Sequence, residues 1–245
     1  MSADSGSDLI AAIKGNLGDR QSGLIGGLPI DTVALNALNR AQFHIAKKYN
    51  IETLQRDATI DVSTSAYQYA LPTTDVDGNV IDIKNFVIVI LQQDDETTGH
   101  QLTRLSRKRF RASFPIISTD FQGRPIYYGV SSDKLEMQPY PDDDYTARCK
   151  VNVWPTKFTS STLGNPQPFG PEWDEVLEMY ATFYAFAKLQ QPDDAASWFS
   201  LYRIALKDTV QAMREKPDQV IDAGLPSRSG VISNPTDNAF VRSKI

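Results

Sequence analysis

Apolar residues in the first quarter of the chain are spaced as on helices. They recur every three or four positions from Leu9 to Leu17 and again from Leu35 to Tyr49, which predicts two amphipathic helices. Residues 15–29 contain five glycines and a proline, so a flexible connector is predicted between the helices. The beginning of the chain therefore predicts a helix, a connector and a second helix.

Small polar residues indicate where these two helices begin. Ser5, Ser7 and Asp8 are each candidates for the N-cap of the first helix. Asp31 is the expected N-cap of the second helix, because it stands directly before the second apolar stripe.

From Thr59 the apolar period shortens to two residues, which is typical of β-strands. Turn signals separate short alternating segments about every ten residues, and the clearest of them is Asp77-Gly78-Asn79. Strands are predicted within residues 80–92, 125–138 and 145–154. This arrangement predicts an antiparallel sandwich or barrel and not a series of βαβ units.

The helical period returns at Gly170-Pro171, where the proline suits the first position of a helix. Two apolar stripes follow on either side of Pro192-Asp193-Asp194, and they predict an αα-hairpin of two helices. The stripe of the second helix is predicted to contain Trp198, Leu201, Tyr202, Ala205, Thr209 and Met213.

Together these patterns predict an α+β fold in which a β domain is inserted into a helical one. The N-terminal helices and the C-terminal αα-hairpin form the helical domain, residues 1–56 and 171–216. Residues 57–170 form the inserted antiparallel sandwich or barrel. The aperiodic, turn-rich residues 217–245 are an extended C-terminal tail, which is expected to become ordered only against a neighbouring subunit.

Composition narrows the classes of function. Of the 245 residues, 41% are hydrophobic and 22% are charged, and the formal net charge of −5 argues against a nucleic-acid coat. No apolar run approaches the ~20 residues needed to cross a bilayer, and the polar N-terminus lacks a signal-peptide pattern. Neither a membrane protein nor a classically secreted one is expected.

Residues that carry catalytic or metal chemistry are scarce. One cysteine, Cys149, and two histidines, His44 and His100, leave little material for metal sites or nucleophilic catalysis. Cys149 lies on the apolar face of a predicted strand and is expected to be a buried small hydrophobe. The sequence contains no phosphate-binding loop, dinucleotide fingerprint or zinc-protease motif. We predict no cofactor, no metal and no enzymatic activity.

Three consecutive carboxylates, Asp142 to Asp144, stand between two predicted strands. Such a group is a candidate Ca²⁺ site, because carboxylate oxygens are preferred calcium ligands. Aspartate also favours turns, and Pro139 and Pro141 frame this group. A turn is the favoured interpretation, since the spaced ligands and the glycine of a calcium loop are missing.

Five cations occur within residues 104–111 and form the only strongly basic patch in an acidic chain. Three roles fit this pattern: contact with a partner's carboxylates, contact with nucleic-acid phosphates, or a solvated short helix. In a short helix, Leu105, Phe110 and Phe114 would face inward. Partner or DNA contact is predicted for Arg104, Arg107, Lys108, Arg109 and Arg111.

Aromatic residues are abundant on the predicted αα-hairpin, and core packing explains most of them. Phe186 and Phe199 fall off the main stripes, which predicts a second buried face against another subunit. The tail carries two apolar pairs that are candidate anchors for the same purpose. The predicted inter-subunit residues are Phe186, Phe199, Val231, Ile232, Phe240 and Val241.

Several strings of residues, taken in order, resemble a known family between residues 30 and 215. They mark turns, strand ends and helix starts, and none of them is a catalytic signature. The strings are Leu38-Asn-Arg-Ala-Gln42, Ala46-Lys-Lys-Tyr49, Tyr67-Gln-Tyr-Ala-Leu-Pro72, Gly123-Arg-Pro-Ile-Tyr127, Leu135-Glu-Met-Gln-Pro-Tyr-Pro-Asp142, Val153-Trp-Pro155, Pro171-Glu-Trp-Asp-Glu-Val176 and Ala185-Phe-Ala-Lys-Leu189. Their order and spacing resemble the head-to-tail adaptor proteins of tailed bacteriophages, especially the tail tubular protein A-like adaptors of short-tailed phages.

The resemblance implies a structural protein of the virion. Such adaptors form a homo-oligomeric ring, usually a dodecamer, between the portal protein and the tail nozzle. The ring extends the channel through which double-stranded DNA passes, and it helps to retain and eject the genome. A closed ring uses heterologous interfaces, in which two different faces of the subunit meet.

A soluble carbohydrate- or ligand-binding β module with a helical oligomerisation element is the alternative hypothesis. It requires an exposed aromatic platform, for which Tyr127, Tyr128 and Tyr140 are the nearest candidates. Strand packing is the preferred interpretation of these tyrosines. A hydrolase with paired carboxylates is a third hypothesis, although no residue pair nominates itself.

Overall fold

The protein has an α+β fold, as predicted, in a computed structural model. The residues that it describes are 2–18, 24–25, 28–64, 66–93, 98–115 and 121–215. The predicted tail, residues 217–245, lies outside the described residues.

The helices have bounds close to those predicted. They are α1 (Gly6–Leu17), α2 (Ile30–Lys48), α3 (Arg107–Ser113), α4 (Asp174–Lys188) and α5 (Pro192–Glu215). Ser5 is the N-cap of α1, where its Oγ accepts from the Asp8 N–H at 3.2 Å. The prediction of Asp31 as N-cap of α2 is wrong, because the helix already begins after the extended Pro29. Asp31 lies in the first turn and accepts a hydrogen bond from Lys14 Nζ at 2.7 Å.

The four longer helices share one apolar core, in which Leu38, Ile45 and Trp173 are fully buried. Helices α4 and α5 form the predicted αα-hairpin across residues 189–191. The predicted place of Leu201 in the buried stripe is wrong, because 44% of this residue is exposed. A helix turns by about 100° per residue, and its neighbour Tyr202 takes the inward position.

The strands include a short pair that the prediction missed. They are β1 (Leu24–Ile25), β2 (Leu28–Pro29), β3 (Gln55–Val62), β4 (Gln68–Ala70), β5 (Ile83–Gln92), β6 (His100–Gln101), β7 (Thr103–Arg104), β8 (Tyr127–Ser131), β9 (Lys134–Gln138) and β10 (Tyr145–Val153). Strands β1 and β2 pair antiparallel within the segment predicted to be a flexible connector. Gly26-Gly27 between them is a dipeptide typical of two-residue hairpin turns.

The longer strands belong to two four-stranded sheets, in the orders β3-β10-β5-β6 and β4-β9-β8-β7. Both sheets contribute to a second core, with Val89 and Val151 from the first and Leu135 and Met137 from the second. The prediction of purely antiparallel pairing is wrong at one place, since β7 pairs parallel with β8. Residues 105–126 connect them as a crossover that includes α3, and parallel neighbours require such a connection.

The segment from His100 to Arg104 passes from one sheet to the other. Its first part, β6, pairs with β5, and its second part, β7, pairs with β8. Leu102, between them, is 3% exposed and donates its N–H to Val89 O at 2.9 Å. Leu102 therefore marks the place where the segment leaves the first sheet and joins the second.

The turn predicted at Asp77-Gly78-Asn79 is confirmed. The carboxylate of Asp75 accepts hydrogen bonds from the N–H groups of Asp77 at 3.0 Å and Asn79 at 2.8 Å. Gly78 has a φ of +82°, which glycine adopts without strain. Hydrogen bonding, first from the Asn79 side chain, lowers the pKa of Asp75.

Lys84 attaches strand β5 to the end of helix α2. Its Nζ donates to the carbonyl oxygens of Ala46 and Tyr49, the latter at 3.0 Å, and to Asn50 Oδ1 at 2.9 Å. A cation is favourable there because the last carbonyls of a helix carry partial negative charge. Burial lowers the pKa of Lys84.

The segment that leads from β10 back to α4 packs on the helices. Phe158 and Phe169, which the sequence assigns to the β domain, lie in the helical core. The Asn39 side chain donates to Phe158 O at 3.0 Å and accepts from Phe158 N–H at 2.8 Å. This segment therefore packs against the helices and contributes two side chains to their core.

Candidate functional site

The predicted basic segment contains the short helix α3, held on strand β8. Ser106 is its N-cap and accepts from the Arg109 N–H at 3.4 Å. Phe110 is 1% exposed, and its ring lies over Gly129, where a Cβ would come within 3.0 Å. Phe114 packs on Phe110, with ring centroids 5.4 Å apart. The expectation of a short helix with these two rings facing inward is confirmed.

Arg107, Lys108 and Arg109 occupy the first turn of α3 and are exposed. None of the three forms an ion pair with another residue that the structure describes. Cations in the first turn of a helix oppose its dipole and repel one another. Helix stability therefore does not explain this grouping, whereas a negatively charged partner would.

The other two predicted cations have contacts within the chain. Arg111 Nη2 lies 2.7 Å from Glu136 Oε1, and the Glu136 side chain is only 3% exposed. Gln68 Nε2 donates to the same oxygen at 2.8 Å. Arg104 Nη1 lies 3.5 Å from Phe86 O, which makes a long hydrogen bond. Partner contact at Arg111 would thus involve a side chain that already neutralises a buried carboxylate.

Helix α5 presents apolar side chains to solvent. Phe199, Leu201 and Ile204 are 39%, 44% and 59% exposed. The sequence predicts Phe199 as an inter-subunit residue, whereas it did not indicate that Leu201 and Ile204 are exposed. Phe186 is 5% exposed and lies in the helical core, so little of its surface remains for another subunit. The other predicted contacts, Val231, Ile232, Phe240 and Val241, lie outside the described residues.

The acidic group forms a turn between β9 and β10, the favoured interpretation of these residues. Tyr145 Oη donates to Asp142 Oδ1 at 2.7 Å, and Thr64 N–H donates to Asp144 Oδ1 at 3.1 Å. Asp143 accepts from Gln93 Nε2 at 2.5 Å. Each carboxylate thus has a partner within the fold. Across the described part of the chain, no group of three His, Cys, Asp or Glu residues is arranged to hold a metal ion.

His44 is a packing residue of the helical core. Its ring stacks on Tyr180 with centroids 4.2 Å apart, and its Nδ1 lies 3.1 Å from the Tyr180 hydroxyl. Burial first, and then the cations of its own helix, lower the pKa of His44 to about 4. Those cations are Lys48, Arg40 and Lys47. The imidazole is therefore neutral at pH 7.

Cys149 is 2% exposed in the centre of β10, as expected of a buried small hydrophobe. Burial raises the pKa of its thiol to about 12. We predict that a thiol reagent at pH 8 leaves the folded chain unlabelled and labels one thiol per chain after denaturation. Mass spectrometry before and after adding denaturant measures this, and rapid labelling of the folded chain would contradict the placement.

The tyrosines of the alternative hypothesis do not form an exposed platform. Tyr128 is 2% exposed and Tyr140 is 8% exposed. Tyr127 packs on Phe114 with ring centroids 5.9 Å apart. The preferred interpretation, packing within the β region, is confirmed for these residues. No helix within the described ranges is both long and apolar enough to cross a membrane.

Two sheets enclose one apolar core, and the four longer helices share another. The family model of the SU10 adaptor protein matches this chain over residues 5–223. The chain therefore belongs to the SU10 adaptor family, a family of phage head-to-tail adaptors. None of the curated proteins matches it.

The match confirms the resemblance and extends it. The sequence strings lie between residues 30 and 215, whereas the family match begins at Ser5 and ends at Ala223. Helix α1, the connector and the first residues after α5 thus belong to the family pattern. None of the sequence strings lies in the glycine-rich early segment, which the family match includes.

Proposed function

We propose that this chain forms the head-to-tail adaptor ring of a tailed phage, in the manner of the tail tubular protein A-like adaptors. The ring joins the portal protein to the tail nozzle and continues the DNA channel between them. The observation that carries this proposal is the adaptor-family match over residues 5–223. Twelve copies per ring, assembly in the host cytoplasm and a role in genome retention and ejection follow from the resemblance.

The exposed face of α5 is the proposed surface between subunits. Leu201 and Ile204, three positions apart, expose apolar area next to one another on this helix, and Phe199 exposes apolar area on another side of it. Burial of such area under a neighbour is favourable. Phe186 is the further residue that we propose at this interface, with the small part of its surface that the core leaves exposed. The tail pairs Val231-Ile232 and Phe240-Val241 are proposed as further contacts, on a different part of the neighbour. Two unlike contacts of this kind fit the heterologous interface of a closed ring.

The channel role is supported by charge. A formal net charge of −5 suits a passage for double-stranded DNA, since a strongly cationic lining would hold the phosphates. The first turn of α3 differs from this overall negative charge, because it carries three exposed cations in succession. We assign this turn to contact with the portal, the nozzle or the phosphates of passing DNA.

Reversing the charge of α3 is expected to weaken assembly or DNA retention. The variant is Arg107→Glu, Lys108→Glu and Arg109→Glu together, and infectious particle yield is expected to fall at least tenfold. The three side chains are exposed, so the melting temperature of the free chain should stay within about 3 °C of the parent. Particle yield, packaged DNA and thermal unfolding measure these effects.

A matched control reverses three exposed cations elsewhere, with Lys134→Glu, Arg148→Glu and Lys150→Glu. It changes the net charge equally and leaves α3 intact, so near-normal particle yield is expected. Equal losses in both triple variants would show that net charge matters and the location does not. Unchanged yield in the α3 variant would contradict the assignment of this helix to a partner.

A further inference from the structure

Strand β5 has an open edge over half of its length. On one side β10 pairs with it from Ile83 to Gln92. On the other side β6 pairs only with Ile90 and Leu91, and Leu102 adds one hydrogen bond to Val89. No strand within the described ranges continues the ladder along residues 83–88. The edge is open because the neighbouring segment leaves for the other sheet after Leu102.

A cleft of about 770 Å³ lies along this open edge. Residues 85–88 of β5 form one wall, and residues 101–104 form the other. The pairing with β10 skips Val87, which is therefore a β-bulge, and its side chain is 40% exposed. A long and exposed apolar edge is a place where another strand pairs, unless the fold covers it.

One buried polar side chain along the cleft lacks a hydrogen-bond partner among the residues that the structure describes. Asn152 is 2% exposed, and its Nδ2 donates to Asn85 Oδ1 at 3.0 Å, but its own Oδ1 has no hydrogen-bond partner. Arg104 Nη1 reaches Phe86 O at 3.5 Å, which is a long hydrogen bond. A buried amide oxygen without a partner destabilises the fold, because it has lost its hydrogen bonds to water. An extended backbone in the cleft would supply a donor for Asn152 and acceptors for Arg104.

We propose that the cleft binds the C-terminal tail of a neighbouring copy, which adds residues 237–242 as a strand to the open edge of β5. In this mode main-chain hydrogen bonds give affinity, and side chains at alternate positions give specificity. The proposal rests on the proposed ring, because the donor is another subunit. It adds to that function the place where the tail binds.

The chemistry of residues 237–242 fits the cleft. Asp237 supplies a carboxylate for Arg104, which is the only charged side chain among the described residues of the cleft wall. Phe240 and Val241 have high β-propensity, and in a strand one of these two apolar side chains points to the side on which Val87 lies.

The length of the tail is also sufficient. Helix α5 passes Tyr49 at Val210 and Gln211, and Asn50, the next residue after Tyr49, lines the cleft. Residues 216–245 follow, and when extended they reach up to about 100 Å. A globular chain of this length has a radius of gyration of about 18 Å. The tail can therefore leave its own subunit and reach the corresponding cleft of the next one.

Disulfide scanning in the full chain tests this proposal. Val87→Cys is combined in turn with Ala239→Cys, Phe240→Cys, Val241→Cys and Arg242→Cys, and each variant is mildly oxidised in particles and as concentrated free chain. The native Cys149 is buried and does not interfere. We expect cross-linked dimers and higher species on non-reducing gels, at least fivefold stronger at alternate tail positions than at the positions between them. Alternation is expected because successive side chains of a strand point to opposite sides.

Val80→Cys, combined with the same four tail cysteines, is the control. Val80 is 86% exposed and lies on a different turn of the β region, so no alternating cross-links are expected. Cross-links within single chains only would overturn docking on a neighbour, and equal or absent cross-links would overturn strand addition. Particles that contain the chain but show no cross-links would overturn this docking and leave the adaptor function standing. Particles that lack the chain would contradict the adaptor function, and the free chain would still test the docking.

Discussion

Replacing Arg111 by methionine is expected to destabilise the folded chain by about 2 kcal/mol. Arg111 is the ionic partner of Glu136, 2.7 Å away, and the Glu136 side chain is 3% exposed. Without the guanidinium, Gln68 is the one hydrogen-bond donor among the described residues that this buried carboxylate would keep. The expected loss is below the ~3–5 kcal/mol typical of a broken buried pair, because 47% of the Arg111 side chain is exposed. Denaturant unfolding of both proteins measures the difference.

Two further variants distinguish the loss of the Arg111–Glu136 ion pair from the loss of a positive charge in general. Arg109→Met removes an exposed cation of the same helix, and a change below about 0.5 kcal/mol is expected. Glu136→Gln added to Arg111→Met removes the unpaired charge, so most of the lost stability should return. Equal stabilities of the Arg111 and Arg109 variants would show that Glu136 does not depend on its ion pair.

Acidification from pH 6.5 to pH 4 is expected to destabilise the fold through His44. The imidazole takes up a proton near pH 6.5 in the unfolded chain but only near pH 4 in the folded one. The unfolded state therefore binds more protons within this window, and stability falls as the pH falls. The shift corresponds to at most about 3 kcal/mol, and about 2 kcal/mol is expected because the ring is partly accessible.

The two histidines of the chain provide a matched comparison. His44→Gln is expected to remove this part of the pH dependence, measured as the free energy of unfolding at half-unit steps. His100→Gln alters an exposed residue and should keep the parental slope. Carboxylates that titrate near pH 4 are common to all three proteins, so their effect cancels in the differences. Identical slopes in the parent and His44→Gln would contradict the lowered pKa of the half-buried imidazole.

Local signals in the sequence predicted most of the elements. The helical spacing of α2, α4 and α5 and the alternation of β10 reflect burial of one face, which is a property of each element alone. The turn at Gly78 and the proline at the start of the 3₁₀ turn before α4 are set by backbone sterics at single residues. Such features depend on a few neighbouring residues in the chain, so they can be predicted from the sequence before the tertiary structure is known.

Features that depend on distant contacts were missed. Leu201 fits a helical stripe as well as Tyr202 does, and only the position of α4 decides which of them faces the core. The parallel pairing of β7 follows from the passage of one segment between two sheets, which no local pattern marks. The candidate cations of α3 also differ in a way that the sequence does not show. Those of the first turn form no ion pair with a described residue, whereas Arg111 pairs with Glu136, which lies 25 residues away in the chain.

Function was predictable here from an ordered set of structural strings and not from any reactive group. The strings mark turns, strand ends and helix starts. The basic segment of α3 and Phe199 of α5 were predicted from the sequence, whereas the exposure of Leu201 and Ile204 and the open edge of β5 became visible only with the fold. Their proposed partners are neighbouring subunits and particle components, so single-chain contacts explain them incompletely.

The copy number of this chain relative to the portal protein, in purified particles from its source, tests the adaptor ring most directly. Quantitative mass spectrometry with labelled peptides of both proteins measures it. A reproducible ratio of one to one is expected for a stoichiometric ring beneath a dodecameric portal. Absence of the chain from particles, or hundreds of copies in each, would contradict the adaptor ring.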